Sequence, residues 1–179
     1  MRFAIVIANQ DLHTKNLSIY LNDHLAGSLA ALELIEHVAS NYPDSHLETF
    51  LGELHAEVSA DQDVLRDLLN TFEAQESTVR KAGAWLAEKL GEVKLGLTEH
   101  QVKGTGLLEA LEGLALGITG KQLLWRALAA GAENVPALSG LDYSTLEKRA
   151  AAQRDAVEEK RLAAAREAFR SAPEQVARG

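Results

Sequence analysis

The clearest pattern along the chain is a stripe of apolar residues between residues 45 and 72. Apolar side chains recur there at intervals of three or four residues, the spacing that places them on one face of an α-helix. At about 100° per residue, Asp61 falls inside the stripe and Glu57 at its edge. The pattern therefore predicts a long helix that directs two acids toward its packing partners. The stripe consists of Leu47, Phe50, Leu51, Leu54, Val58, Leu65, Leu68, Leu69 and Phe72.

A second stripe predicts an earlier helix, which begins near Asn16 or Ser18, either of which is a suitable cap, and ends near Ser40. By the same angular count Glu36 lies within the apolar face of this helix. Glu36 is therefore a third acid that we expect to point inward. The face consists of Leu17, Leu21, Leu25, Leu29, Leu32, Ile35 and Ala39.

The connection between these two helices is short. Residues 41–44 read Asn-Tyr-Pro-Asp, and they predict a turn because proline cannot continue a helix. Ser45 and Glu48 have the spacing of a capping box, which predicts the start of the second helix. So short a connection predicts that the two helices pair as an antiparallel hairpin.

Two further helices are predicted over residues 76–90 and 106–130, with a glycine-rich loop between them. They complete an antiparallel four-helix bundle over residues 16–131. Three glycines recur on one side of the helix predicted over residues 106–130, where we expect them to let another helix approach closely. They are Gly113, Gly117 and Gly120.

Residues 143–171 predict an additional, highly charged C-terminal helix, opened by a capping box at Ser144 and Glu147. Its apolar seam is thin, so it packs either within one chain or against a second copy. The second arrangement would make the protein a homo-oligomer. The remaining segments are predicted as a flexible or strand-like arm over residues 1–15, a linker over 132–142 and a disordered tail over 172–179.

Composition narrows the class of protein. The chain has 179 residues, of which 46% are hydrophobic, as expected for one globular domain. Its net charge of −8 argues against nucleic-acid binding, which needs a basic surface. The absence of cysteine excludes disulfides and thiolate sites and fits a cytoplasmic location. No apolar run is long enough for a membrane span, so we expect no membrane partner.

No motif assigns an enzymatic activity. The chain has no phosphate-binding loop, no dinucleotide-binding glycine pattern, no G-x-S-x-G and no H-E-x-x-H. This favours a protein without catalytic function.

The predicted helices, with acids on their inner faces, resemble the ferritin-like superfamily. The segment Leu51-Gly-Glu-Leu-His-Ala-Glu-Val-Ser-Ala-Asp61 resembles the second helix of such proteins. The resemblance implies a ferritin-like bundle, although the short connections also allow a simple up-down-up-down topology. Di-iron members of the superfamily use a Glu-x-x-His motif on two helices. No predicted bundle helix of this chain carries that motif.

These sequence features are compatible with two functions. The first is a non-enzymatic binding or interaction protein without a cofactor or a complete di-iron centre, whose protein partner the sequence does not identify. The alternative is a carboxylate-bridged protein that oxidises or stores iron, or binds another divalent metal, with Glu36, Glu57 and Asp61 as candidate ligands.

The inward acids also have a purely structural interpretation, in which Lys89 or Lys121 pairs with them inside the bundle. In that case Asp61→Leu is expected to be neutral or stabilising, because apolar residues often replace a paired buried charge without cost.

Overall fold

The computed structural model describes residues 2–42, 45–73 and 105–170. In these three segments the chain forms four long α-helices, one 3₁₀ turn and no β-strand, which confirms the all-α prediction. The predicted helix over residues 76–90, the loop after it as far as residue 104 and the tail over 172–179 lie outside the described residues. The helices are α1 (Arg2–Asn41), α2 (Ser45–Glu73), α3 (Gly106–Gly131) and α4 (Tyr143–Ala168), and the 3₁₀ turn is Pro136–Leu138.

Helix α1 begins at Arg2 and not near Asn16. Residues 2–15 contain no proline or glycine, the two residue types that most disfavour a helix interior. The segment predicted as a flexible or strand-like arm is therefore the first part of α1.

The apolar stripe of α2 lies in the core, as its periodicity predicts. Leu51, Val58 and Phe72 are at most 3% exposed. These side chains belong to one apolar cluster with Leu21 and Ile35 of α1 and with residues of α3 and α4. Burial of such residues removes about 25 cal/mol of unfavourable hydration per Å² of apolar surface. The core is thus shared by the four helices that the structure describes.

The connection from α3 to α4 is ordered and packs on the core, although the sequence predicts only a linker. Leu138 is 1% exposed, and its carbonyl accepts a 2.8 Å hydrogen bond from the Tyr143 hydroxyl. Asp142 caps α4 by accepting a 3.1 Å hydrogen bond from the Thr145 amide. The cap is therefore Asp142 and not the predicted Ser144, because the first residue of the helix is Tyr143.

The apolar residues of the thin α4 seam pack against other helices of the same chain. Tyr143, Leu146, Ala150 and Val157 are all buried, and α4 makes its most extensive contact with α3. None of the described helices is both long enough and apolar enough to cross a membrane.

Candidate functional site

Asp61 is the centre of a buried charged cluster that joins α2 to α3 and α4. Its side chain is 2% exposed. One carboxylate oxygen accepts hydrogen bonds from Lys121 Nζ at 2.5 Å and from Gln153 Nε2 at 3.3 Å. The other oxygen accepts from the Arg149 guanidinium. Lys121 also donates to Gln153 Oε1 at 2.5 Å. We call these four residues the Asp61 cluster.

The Asp61 cluster contains two cations and one anion. The Lys121 side chain is 13% exposed and the Arg149 side chain 36% exposed, so Lys121 is much more strongly desolvated. Burial lowers the pKa of the Lys121 ammonium, and the Asp61 carboxylate opposes that effect. A buried charge is costly unless it is paired and hydrogen-bonded. Both oxygens of Asp61 are therefore satisfied, and the four residues of the cluster carry one positive charge in excess, with the exposed Glu57 acting more weakly on Lys121 from outside the cluster.

A second polar network joins α3 and α4 next to this cluster. Arg154 donates to Gln122 Oε1 at 2.9 Å, and Arg126 donates to Glu147 at 2.6 Å. The hydrogen bonds from Arg126 lower the pKa of Glu147. Glu147, predicted as part of a capping box, thus links two helices instead. Both networks hold α4 in place.

A cavity of about 80 Å³ lies beside the Asp61 cluster, between α1, α2 and α3. Its polar wall includes His24, Ser28 and Gln62, and Gln62 Nε2 donates to Ser28 Oγ at 2.9 Å. Burial lowers the pKa of His24, which favours the neutral imidazole. Asp61 and Lys121 also line the cavity. The apolar wall is formed by Ala31, Val58, Leu65, Ile118 and Leu124.

Trp125 lines the same cavity and is 1% exposed. Its indole N–H is buried and has no hydrogen-bond partner among the described residues. Buried polar groups in proteins are nearly always satisfied, by protein atoms, water or a ligand. The cavity therefore combines apolar walls, a buried lysine and a donor that needs an acceptor.

The three acids predicted as metal ligands are in different surroundings. Asp61 is buried, as its place in the α2 stripe predicts. Glu36 is exposed, contrary to its expected inward position, and one of its oxygens lies 3.2 Å from His55 Nε2. Glu57 is exposed on α2. Within the described segments, no three His, Asp or Glu side chains are grouped so that they could hold a metal ion. The donor set of a di-iron site is therefore not assembled there.

Lys121 is predicted from the sequence as a partner for the inward acids, whereas Arg149 and Gln153 are not. A signal for Gln153 is present in α4, where Leu146, Ala150, Gln153 and Val157 follow the three-and-four spacing of an inward face. A polar residue at such a position needs a buried partner. Arg149 carries no comparable signal, because it lies beside that face and reaches Asp61 through its long side chain.

No protein-family model, curated protein or solved structure matches this chain.

Proposed function

We propose that this chain is a non-enzymatic binding or interaction protein, built as an antiparallel ferritin-like helical bundle without a complete di-iron centre. The observation that supports this is the state of Asp61. It is the only one of the three candidate ligands that is buried, and both of its oxygens are engaged by Lys121, Arg149 and Gln153. A carboxylate neutralised by two cations is a poor ligand for a further cation, so we assign Asp61 a structural role that joins α2 to α3 and α4.

Pairwise contacts support the antiparallel arrangement. Ser28 contacts Gln62, and further along α1, Glu36 contacts His55. Positions thus rise along α1 as they fall along α2. The same reversal relates α3 to α4, in which Arg126 contacts Glu147 and Glu112 lies near Arg161. With the predicted helix over residues 76–90 as one of the four, α4 is the additional C-terminal helix of the proposal.

A second copy of the chain is the partner that we propose for α4. Leu162 and Phe169 are 41% and 71% exposed. They are seven residues apart and therefore share one face of the helix. Because the seam of α4 is buried within the chain, these two residues are the part of α4 that remains for such a contact.

Sedimentation velocity tests this contact. We expect wild-type protein to sediment as an oligomer, and Leu162→Glu with Phe169→Glu to shift it to the monomer. Ala152→Glu, an exposed position of α4 on another face, is the matched control and is expected to leave the oligomer intact. A monomeric wild-type protein would contradict the proposal.

Elemental analysis tests the non-metal function. Untagged protein is purified without chelator, analysed, then loaded anaerobically with ferrous iron and passed through gel filtration. We expect no metal to be retained. Two equivalents of iron per chain would instead establish the iron-oxidising or iron-storing alternative, and Glu36, Glu57 and Asp61 would be the first residues to replace.

A further inference from the structure

The cavity beside the Asp61 cluster has a hydrogen-bond donor that no described residue satisfies. Trp125 Nε1 is buried, and Trp125 lines the cavity. An indole N–H can only donate. The missing partner is therefore an acceptor, and the cavity is where such a group has room.

The charge beside the cavity favours an anionic acceptor. Lys121 and Arg149 both pair with one buried acid, Asp61. The exposed carboxylate of Glu57 also acts on Lys121, but less strongly than Asp61 does. The Lys121 ammonium has three N–H groups, of which two donate to Asp61 and Gln153. Asp61 also lines the cavity, but its negative charge is neutralised by the two cations. A ligand with one negative charge would balance the excess positive charge of the cluster.

The size and walls of the cavity limit that anion. Its volume is about 80 Å³, roughly half of a 150 Å³ cavity that accommodates benzene. Three or four non-hydrogen atoms is therefore about the limit. The walls contributed by Ala31, Val58, Leu65, Ile118 and Leu124 are apolar, which suits a short hydrocarbon group at the other end of the ligand.

We propose that this cavity binds a short-chain monocarboxylate of the size of acetate, with the carboxylate between Lys121 and the Trp125 indole N–H. The methyl group lies against the apolar wall. The neutral imidazole of His24 adds no competing charge at neutral pH. This inference rests on the binding function proposed above, but its test is independent of the metal and oligomer experiments.

The test follows the indole N–H resonance of Trp125 in the full-length ¹⁵N-labelled protein. The chain has two tryptophans, and Trp125→Phe assigns the resonance by its loss. Sodium acetate is titrated against sodium chloride at equal ionic strength and pH 7, and acetamide is titrated as the neutral analogue. We expect a saturable shift with acetate and about tenfold weaker binding of acetamide, because hydrogen bonds to a charged group are the stronger ones.

Two glycine positions provide a matched pair of variants. Gly117 lines the cavity and Gly120, on the same helix, does not. A Cβ at either position meets no atom of the described residues within 4 Å, so both variants are expected to fold, as circular dichroism would verify. Gly117→Leu is expected to abolish the acetate shift, and Gly120→Leu to preserve it.

Three results would overturn the proposal. One is the absence of a saturable shift with acetate, as expected if water alone fills the cavity. Another is equal affinity for acetate and acetamide, and the third is unchanged acetate binding in Gly117→Leu.

Discussion

The ammonium nitrogen of Lys121 lies 2.5 Å from an oxygen of the Asp61 carboxylate. The expectation that Asp61→Leu is neutral or stabilising holds when a whole buried pair is replaced by apolar residues, whereas this substitution removes only one member of the pair. Leucine would remove one member of the cluster and leave Lys121 and Arg149 as buried or half-buried cations without their counter-ion. Removing one partner of a buried ion pair costs about 3–5 kcal/mol. Because Arg149 is partly exposed, we expect a loss of about 3 kcal/mol in the free energy of unfolding, measured by urea denaturation.

Asp63→Leu is the matched control, because Asp63 is an exposed acid two positions along α2 that pairs with Arg66 at the surface. Its effect is expected to stay within about 0.5 kcal/mol. Equal stabilities for the two leucine variants would show that the Asp61 cluster contributes nothing to the fold.

The pH dependence of stability is expected to reflect His24. Burial lowers its pKa from the usual value of 6.5, and the nearby Asp23 only partly opposes this. Between the lowered folded value and 6.5, the unfolded chain binds more protons than the folded chain. The free energy of unfolding should therefore decrease as the pH falls below about 6.5.

Urea denaturation at pH 7.5 and pH 5 measures this slope. We expect His24→Gln to be less sensitive to pH than the wild type, whereas His37→Gln, at an exposed position of α1, keeps the wild-type slope. His24 also contacts the ring of Tyr20 edge-on, so the comparison uses the slope and not the absolute stability. An unchanged slope in His24→Gln would assign the effect to other groups.

Gly120→Ala is expected to stabilise the protein. The new Cβ meets no described atom within 4 Å, and alanine is favoured over glycine in a helix by about 0.5–1 kcal/mol. At Gly131 the new Cβ would lie 3.2 Å from Leu138 Cδ1, so we expect Gly131→Ala to gain less or to lose stability. Thermal denaturation followed by circular dichroism compares the two variants, and equal gains would contradict the predicted contact with Leu138.

Two substitutions at the start of α4 distinguish the observed cap, Asp142, from the predicted cap, Ser144. Asp142 accepts hydrogen bonds from both the amide and the hydroxyl of Thr145. We expect Asp142→Ala to lower the midpoint of thermal unfolding by about 2–4 °C. Ser144→Ala should leave it nearly unchanged, and the opposite ranking would support the capping box predicted at Ser144.

The sequence predicts the buried face of α2 well, because the helical repeat alone determines which of its residues lie on the same face. Asp61 was correctly placed inside on this basis. Glu36 is exposed although its stripe places it inside. The angular count shows which residues of a 40-residue helix share a face, but not which part of that face other helices cover. The cavity could not be predicted either. Its volume depends on how side chains of α1, α2 and α3 meet.

The early start of α1 shows another limit of sequence patterns. The predicted start near Asn16 depended on a suitable cap, but a cap marks a helix end only where the preceding residues leave the helical conformation. Residues 2–15 have no residue that forces them to do so. A possible cap at Asn16 is therefore not enough to start a helix there, because nothing in the residues before it interrupts the helical conformation.

The members of the Asp61 cluster are far apart in sequence, and this affects the order in which contacts form during folding. Contacts between α3 and α4, such as Arg126 with Glu147, span 21 residues, whereas Asp61 is 60, 88 and 92 residues from Lys121, Arg149 and Gln153. Closing long loops costs more entropy, so short-range pairs form first. We therefore expect the Asp61 cluster to form late, after α3 and α4 have met. On that order of events, loss of the cluster would raise the unfolding rate more than it lowers the folding rate.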